Sequence, residues 1–315
     1  MKHIVVIGGG TGCPTVLRGL KKYDLDITAV VSMFDSGGST GILRDEFGVL
    51  PPGDVRRCLV ALAQENGENT VRELFNYRFD AECSLKGHSF GNLFLTALTK
   101  ITGSDAEAIK KAGKMLNIKG KVLPVSVSHA HLGAELENGR TIVGETNIDI
   151  PKHDGNLKIK RVFLLPEADI YSETKKAIES ADMIIIGPGD LYSSIMANLL
   201  VKGMPEALKK SKAKKVYICN LMTKWGETTN YTAADHVREI MRYAGGKVDY
   251  MICNNRKGSK ELLEKYEAEK AFPVAIDKKT IKELGVTLVE GDIISEPVLI
   301  RHDSEKLAKI LVGLQ

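Results

Sequence analysis

The 315-residue chain contains three short apolar runs that each end in glycine and small hydroxyl residues. Ile4–Ile7 leads into Gly8-Gly9-Gly10-Thr11-Gly12, and Asp26–Met33 into Asp35-Ser36-Gly37-Gly38-Ser39-Thr40-Gly41. Met183–Ile186 leads into Gly187-Pro188-Gly189-Asp190. A strand that stops in such a turn lets a phosphate approach the backbone N–H groups, and the dipole of the following helix favours its charge. Together the turns predict one sheet edge that holds a phosphorylated ligand, with Gly9, Gly10, Thr11, Gly12, Gly37, Gly38, Ser39, Gly187 and Gly189 around it. For any single turn, backbone geometry alone is the competing account, because tight strand-to-helix turns need glycine anyway. The first turn is not a clean dinucleotide fingerprint, since Cys13 stands where its last glycine would be, and no Gly-Lys-Ser/Thr makes it a P-loop.

Charged side chains cluster near the same turns. Asp35 could accept from a ribose hydroxyl, hold a divalent cation or close an Asx-turn, and Asp54 could cap a helix or share a Mg²⁺ with Asp35. Arg44, Arg56 and Arg57 suit bidentate phosphate contacts or surface ion pairs with Asp45 and Glu46. His88 and Asn92, set between glycines in Lys86-Gly87-His88-Ser89-Phe90-Gly91-Asn92, form either a ligand hook at a helix mouth or a cap. His129 and His131 alternate on a strand-like stretch without a third metal ligand at a recognisable spacing. No Gly-x-Ser-x-Gly elbow is present, so a binding edge is more legible than a catalyst.

The elements that position these residues alternate. Helices are expected over 14–23, 55–64, 90–99, 105–116, 174–180 and 233–243, with strands at 183–186, 215–220 and 248–254 between them. This rhythm predicts an α/β, Rossmann-like fold: a mainly parallel sheet with helices on both faces. Residues 120–165 break it with short strands and the turns Asn138-Gly139 and Asp154-Gly155-Asn156, which predicts a small inserted antiparallel region. One domain over 1–315 is expected, with a core from 1–119 and 166–254, the insertion at 120–165 and a C-terminal lobe over 255–315.

Composition narrows the function classes. Lys and Arg exceed Asp and Glu by 44 to 40, too slight an excess to point to nucleic acid. Five scattered cysteines without a C-x-x-C pair fit a reducing cytosol rather than a disulfide or zinc framework. No signal peptide and no apolar run near 18 residues is visible, so a cytoplasmic protein without a membrane span is expected.

In order along the chain, GGGTG, D-x-GGS-x-G, LPPGD, LKGHSFGN, GPGDLYSSI-x-x-NLL, N-x-MTK-x-GET-x-x-Y and RHD-x-EKLA resemble the YvcK family of bacterial gluconeogenesis factors, within the CofD-like superfamily. The resemblance implies a cytosolic protein that self-associates and binds UDP-sugars, notably UDP-N-acetylglucosamine. It also implies a role in carbon metabolism, cell shape and envelope synthesis, exercised through protein partners. Tyr266 and Arg301 fall where relatives carry UDP-sugar-binding residues; chemically, the ring could stack on uracil and the guanidinium meet the diphosphate. Asn220 and Thr223 are then candidates for base and sugar. The CofD branch implies the alternative: a transferase that moves a 2-phospholactyl group from a guanosine diphosphate-type donor onto a deazaflavin, with Mg²⁺ on Asp35 and Asp54. Both branches usually show two consecutive aspartates where this chain has Asp35-Ser36, which weakens a metal site. Cys13-Pro14 replaces the usual Leu-Ser, a change a helix start tolerates.

Overall fold

The computed structural model describes residues 1–64, 70–80, 82, 84–296 and 298–314. Seven parallel strands form the main sheet: β1 (Lys2–Gly8), β2 (Leu25–Val31), β3 (Lys121–Pro124), β7 (Met183–Ile186), β8 (Lys214–Ile218), β9 (Tyr250–Asn254) and β10 (Thr287–Gly291). Between β3 and β7 in the chain, β4 (His131–Leu136), β5 (Thr141–Val143) and β6 (Ile159–Leu165) make a small antiparallel sheet. A two-stranded ribbon of β11 (Ile294–Ser295) and β12 (Arg301–His302) completes the β structure. The helices are α1 (Gly12–Leu20), α2 (Gly38–Phe47), α3 (Gly53–Leu62), α4 (Thr70–Asn76), α5 (Phe90–Thr102), α6 (Asp105–Met115) and α7 (Glu145–Asp149). They continue with α8 (Ser172–Glu179), a π turn (Leu191–Met196) running into α9 (Ala197–Leu199), and α10 (Met204–Lys210). Last come α11 (Ala233–Ala244), α12 (Lys260–Ala268), α13 (Lys278–Glu283) and α14 (Ser304–Gly313).

Central strands of a parallel sheet covered by helices are buried on both faces and read as unbroken apolar runs. Ile4, Val5, Val6 and Ile7 accordingly expose nothing, and neither do Ile184, Ile185 and Ile186 of β7. Local signals set the helix ends. Thr232 and Asp235 form a capping box at the start of α11, which stops at Gly245 with φ +65°. Ser89 caps α5 by accepting the Asn92 N–H.

The sheet order is β10-β9-β8-β7-β1-β2-β3. From β1 the chain moves outward through β2 to β3, and from β7 it moves the other way to β10. The crossing point lies between β1 and β7, which pair from Ile4–Met183 to Ile7–Ile186. Open α/β sheets bind ligands outside the carboxyl ends of the strands at this position.

Two expected boundaries shift. Residues 121–124 pair with β2 as the sheet's last parallel strand, so the antiparallel insertion begins later than residue 120. The expected C-terminal lobe is divided as well, because β10 joins the main sheet and α14 lies on α1 so closely that a Cβ on Gly19 would sit 2.0 Å from the Ser304 carbonyl oxygen. No helix among the described residues is long and apolar enough to cross a membrane.

Candidate functional site

The turns after β1 and β7 meet at the crossing point. A Cβ on Gly12 would lie 2.1 Å from the Pro188 carbonyl oxygen, so only glycine permits this approach. Two cavities open here and share Gly10, Thr11, Asp190 and Ser194. The first, about 360 Å³, is walled by Ser32, Asp35, Asp54, Arg57, Glu145 and Asp149. The second, about 290 Å³, runs from Gly12 and Gly189 past Asn220 to Tyr266, Arg301 and His302. A larger cavity of about 600 Å³ lies away from the switch point, under α6 beside β3, where Lys110, Glu107, Tyr171 and Glu173 mix with aliphatic side chains.

Asp54 organises the first cavity. It does not cap α3, whose N-cap is Pro52; its carboxylate reaches out of the first turn instead. Gly10 N–H donates to Oδ2 at 2.8 Å, and Arg57 Nη2 donates to Oδ1 at 2.6 Å. A Cβ on Gly9 would meet Oδ2 at 2.5 Å, so the first turn folds directly onto this carboxylate. Asp35 accepts from Gly37 N–H at 2.8 Å, an Asx-turn. Burial first, then the neighbouring Asp54 charge, raises the Asp35 carboxyl above its ordinary range. Glu145 of α7 is pushed up to about 8 by burial and by the charges of Asp35 and Asp149. At neutral pH Glu145 therefore holds a proton.

Lys224, in the loop after β8, reaches the same cavity rim. Its ammonium bonds Asp149 and lies 2.9 Å from Asp190 Oδ2 and 3.5 Å from Glu227 Oε1. Burial alone would lower its pKa, but Glu227, Asp190 and Asp149 together outweigh that and raise it, keeping it charged. Glu227 is fully buried and accepts the N–H groups of Tyr192 and Ser193 at 2.9 and 3.2 Å, fixing the first residues of the π turn.

The second cavity is less charged. Asn220 Nδ2 donates to Gly189 O at 2.9 Å and so holds the third glycine turn. Tyr266 O–H donates to Ile300 O at 3.4 Å while its ring edges the cavity. Burial drives the His302 imidazole down to about 4, so it is neutral and donates Nε2–H to Cys219 O at 3.1 Å. Arg301 is exposed and has no ion pair among the described residues.

The family model described as 2-phospho-L-lactate transferase CofD matches residues 4–294. A putative gluconeogenesis factor of Thermotoga maritima is 49% identical over 98% of both chains. The gluconeogenesis factor of Bacillus subtilis is 46% identical over 99% of this chain and 97% of its own. The chain belongs to the CofD family, in its gluconeogenesis-factor (YvcK) branch. A Bacillus halodurans protein of known structure, BH3568, superposes with a TM-score of 0.94 over 99% of both chains at 44% identity.

Against this CofD-family frame, the residues expected at the site divide into two groups. Gly10, Thr11, Gly12, Asp35, Gly37, Gly38, Asp54, Arg57, Gly189, Asn220, Tyr266 and Arg301 line the paired cavities. Others shape the walls from behind. Gly187, with φ +81°, turns the chain after β7. Ser39, His88 and Asn92 form one internal network: Ser39 Oγ lies 2.9 Å from His88 Nδ1, and Asn92 Nδ2 donates to Ser39 Oγ at 3.3 Å. Arg56 Nε donates to Asn92 Oδ1 at 3.1 Å, so this network braces α2 against α5 and α3. Thr223 exchanges two hydrogen bonds with Phe272: its N–H donates to Phe272 O at 2.7 Å, and its Oγ1 accepts the Phe272 N–H at 2.9 Å.

Ser194, Glu145, Thr146, Asp149, Asp190, Lys224 and Glu227 were not foreseen at the site. Asp190, Lys224 and Glu227 sit inside recognisable motifs, GPGD and MTK-x-GET, whereas Glu145 and Asp149 fall in a stretch that resembled strand and turn. Cys13 and Cys58 are fully buried, with Cys58 Sγ 3.7 Å from Cys13 Sγ behind the first turn. Cys83 lies outside the described residues. His129 and His131 border a small cavity with Arg44 and Asp45 and join no metal-ligating group among the described residues.

The residues for Mg²⁺ fit the ion poorly. Both Asp54 oxygens are engaged, by a backbone N–H and by Arg57, and Asp35 is engaged by Gly37 N–H and Glu145. Ser36, in place of a second aspartate, donates to Thr146 Oγ1 at 3.1 Å and accepts the Thr146 N–H at 3.0 Å. A hexacoordinate ion would have to share Asp54 with the Arg57 guanidinium, whose charge opposes a second cation there.

Proposed function

We propose that this chain is a cytoplasmic nucleotide-sugar-binding regulator of the UDP-N-acetylglucosamine type, acting on carbon metabolism, cell shape and envelope synthesis through protein partners, as a homo-oligomer. The observation that carries the reading is the pair of cavities joined through Gly10, Thr11, Asp190 and Ser194. The second offers an aromatic ring for a base and an exposed arginine for a diphosphate, beside glycine turns at the mouths of β1 and β7. The first offers hydroxyls and carboxyls, the acceptors and donors a sugar requires. The alternative, a Mg²⁺-dependent 2-phospholactate transferase with a guanosine diphosphate-type donor, draws support from the family model's description. It needs a metal on carboxylates that are already engaged.

Calorimetric titration with UDP-N-acetylglucosamine, with and without EDTA, and with GDP and NAD for comparison, tests the proposal. Saturable UDP-sugar binding that survives EDTA, with the ligand recovered intact, is expected. Stacking on an aromatic side chain is worth about 1–3 kcal/mol per base, so Tyr266→Ala should weaken binding about 5- to 150-fold. A preference for GDP that vanishes with EDTA would transfer the assignment to the transferase.

A further inference from the structure

Asp149, Asp190 and Glu227 come from three separate segments: the end of α7, the turn after β7 and the loop after β8. One oxygen of each lies within 4.8 Å of the others. Three carboxylate oxygens so close repel one another unless a cation sits among them, and convergent oxygens from several segments are the usual setting of a hard divalent ion. Here the cation is Lys224, in contact with all three. An ammonium is a compact point charge, and this one donates to Asp149 and Asp190 while its charge faces Glu227.

A second set of contacts, independent of the charges, ties the same segment to the same loop. The Trp225 ring lies over Gly155 so closely that a Cβ there would fall 2.4 Å from Cε2. Gly226 abuts Pro151, and Thr229 Oγ1 donates to Gly155 O at 3.0 Å. Residues 224–229 thus grip the loop that follows α7, and α7 supplies Glu145, Thr146 and Asp149 to the cavity. On the other side, Glu227 holds the π turn that carries Ser194.

We propose that the Lys224 ammonium is a resident cation, standing where a divalent metal would otherwise bind among Asp149, Asp190 and Glu227 and fastening the inserted sheet over the ligand cavity. Lys224 is a positioning residue: through Asp149 it sets the roof, and through Glu227 the wall. The site keeps this charge and this closure whatever the metal supply. The proposal deepens the reading of the cavity as the ligand's, but its decisive measurement needs no nucleotide.

The test is Mn²⁺ titration of the full chain, read by electron paramagnetic resonance, with hydrogen exchange followed over residues 145–155. Lys224→Met should take up one more Mn²⁺ per chain than the wild type. Its 145–155 segment should exchange faster, and added Mn²⁺ should slow that exchange again. Lys224→Arg, which keeps a cation, should gain no Mn²⁺, and Lys224→Met combined with Asp190→Asn should lose the gain. A Lys224→Met chain that gains no Mn²⁺, or whose exchange Mn²⁺ leaves unchanged, overturns the proposal. Asp190→Asn in the otherwise wild-type chain guards against a misfolded Lys224→Met: it should leave Mn²⁺ uptake unaltered, and a loss would show that the triad already binds metal, refuting the inference. If these results hold while UDP-N-acetylglucosamine fails to bind, the nucleotide-sugar reading falls and the resident cation stands.

Discussion

Asp54→Asn probes the arrangement at the mouth of β1. The substitution keeps the shape of a buried side chain and removes its charge. Asparagine can still accept from Gly10 N–H through its oxygen, as a neutral bond about half as strong as the charge-assisted one. Its amide nitrogen then faces Arg57 Nη2, now 2.6 Å from an Asp54 oxygen, and donor meets donor. A hydrogen bond to a charged group contributes about 1.5–3 kcal/mol, but the Arg57 side chain is 35% exposed, so solvent recovers part of the loss. Relief of the repulsion that raises the Asp35 carboxyl works in the opposite direction. The balance is a destabilisation of about 1–3 kcal/mol. Urea unfolding should show a lower midpoint with an unchanged slope, and a double-mutant cycle with Arg57→Met should give a coupling of about 1 kcal/mol. An Asp54→Asn protein as stable as the wild type, or a cycle with no coupling, would refute the assignment of Gly10 and Arg57 as its partners. With Asp54 bonded to Gly10 and Arg57 rather than to a metal, UDP-N-acetylglucosamine affinity should respond equally in EDTA and in Mg²⁺.

Two further outcomes are expected. Gly12→Ala drives a methyl against the Pro188 carbonyl, so the turns after β1 and β7 must part; overpacking of this kind costs about 1–3 kcal/mol, and ligand binding should fall with it, whereas Gly313→Ala, with open space around its Cα, should be near neutral in the same melts. Glu145 holds its proton to about pH 8 in the folded chain but only to about 4.5 when unfolded, so stability should fall as pH rises toward 8. His302, lowered from 6.5 to about 4, works oppositely below pH 6.5, and Glu227, raised by burial to about 7, works alongside Glu145 up to that pH, which leaves 7 to 8 as the clear window. Melting temperatures across that window should decline in the wild type and flatten in Glu145→Gln; a rise would contradict a protonated Glu145.

The strand–helix rhythm, the three glycine turns and most cavity residues on them were legible because burial on both faces demands apolar runs and close backbone approach demands glycine. Four features were not. Lys121–Pro124 is too short for its pattern to reveal whether its neighbour runs parallel or antiparallel, and it was grouped with the insertion. Glu145–Asp149 is a five-residue helix without a recognisable apolar stripe, so the roof of the first cavity is lost among the short strands and turns of 120–165. His88 and Asn92 have the same flanking glycines whether they meet a ligand or, as here, Ser39 and Arg56; only packing separates the two. The Lys224 contacts bring together residues from Asp149 to Glu227, and no local pattern announces such a meeting.

The position of β1 between β2 and β7 bears on how the protein comes into being. As synthesis proceeds, β1 and β2 can pair as soon as they emerge, but the other side of β1 stays bare until Met183–Ile186 appears; His3 N–H and the Asp182 carboxylate that join there are 179 residues apart. Contacts of such long sequence separation form slowly, because the intervening chain must close first. A nascent chain halted before Met183 already carries the first glycine turn, Asp35 and Asp54, yet only half of the groove. Occupancy of the groove is therefore a property of the finished fold alone, and any molecule that binds there draws the last stage of folding forward by mass action.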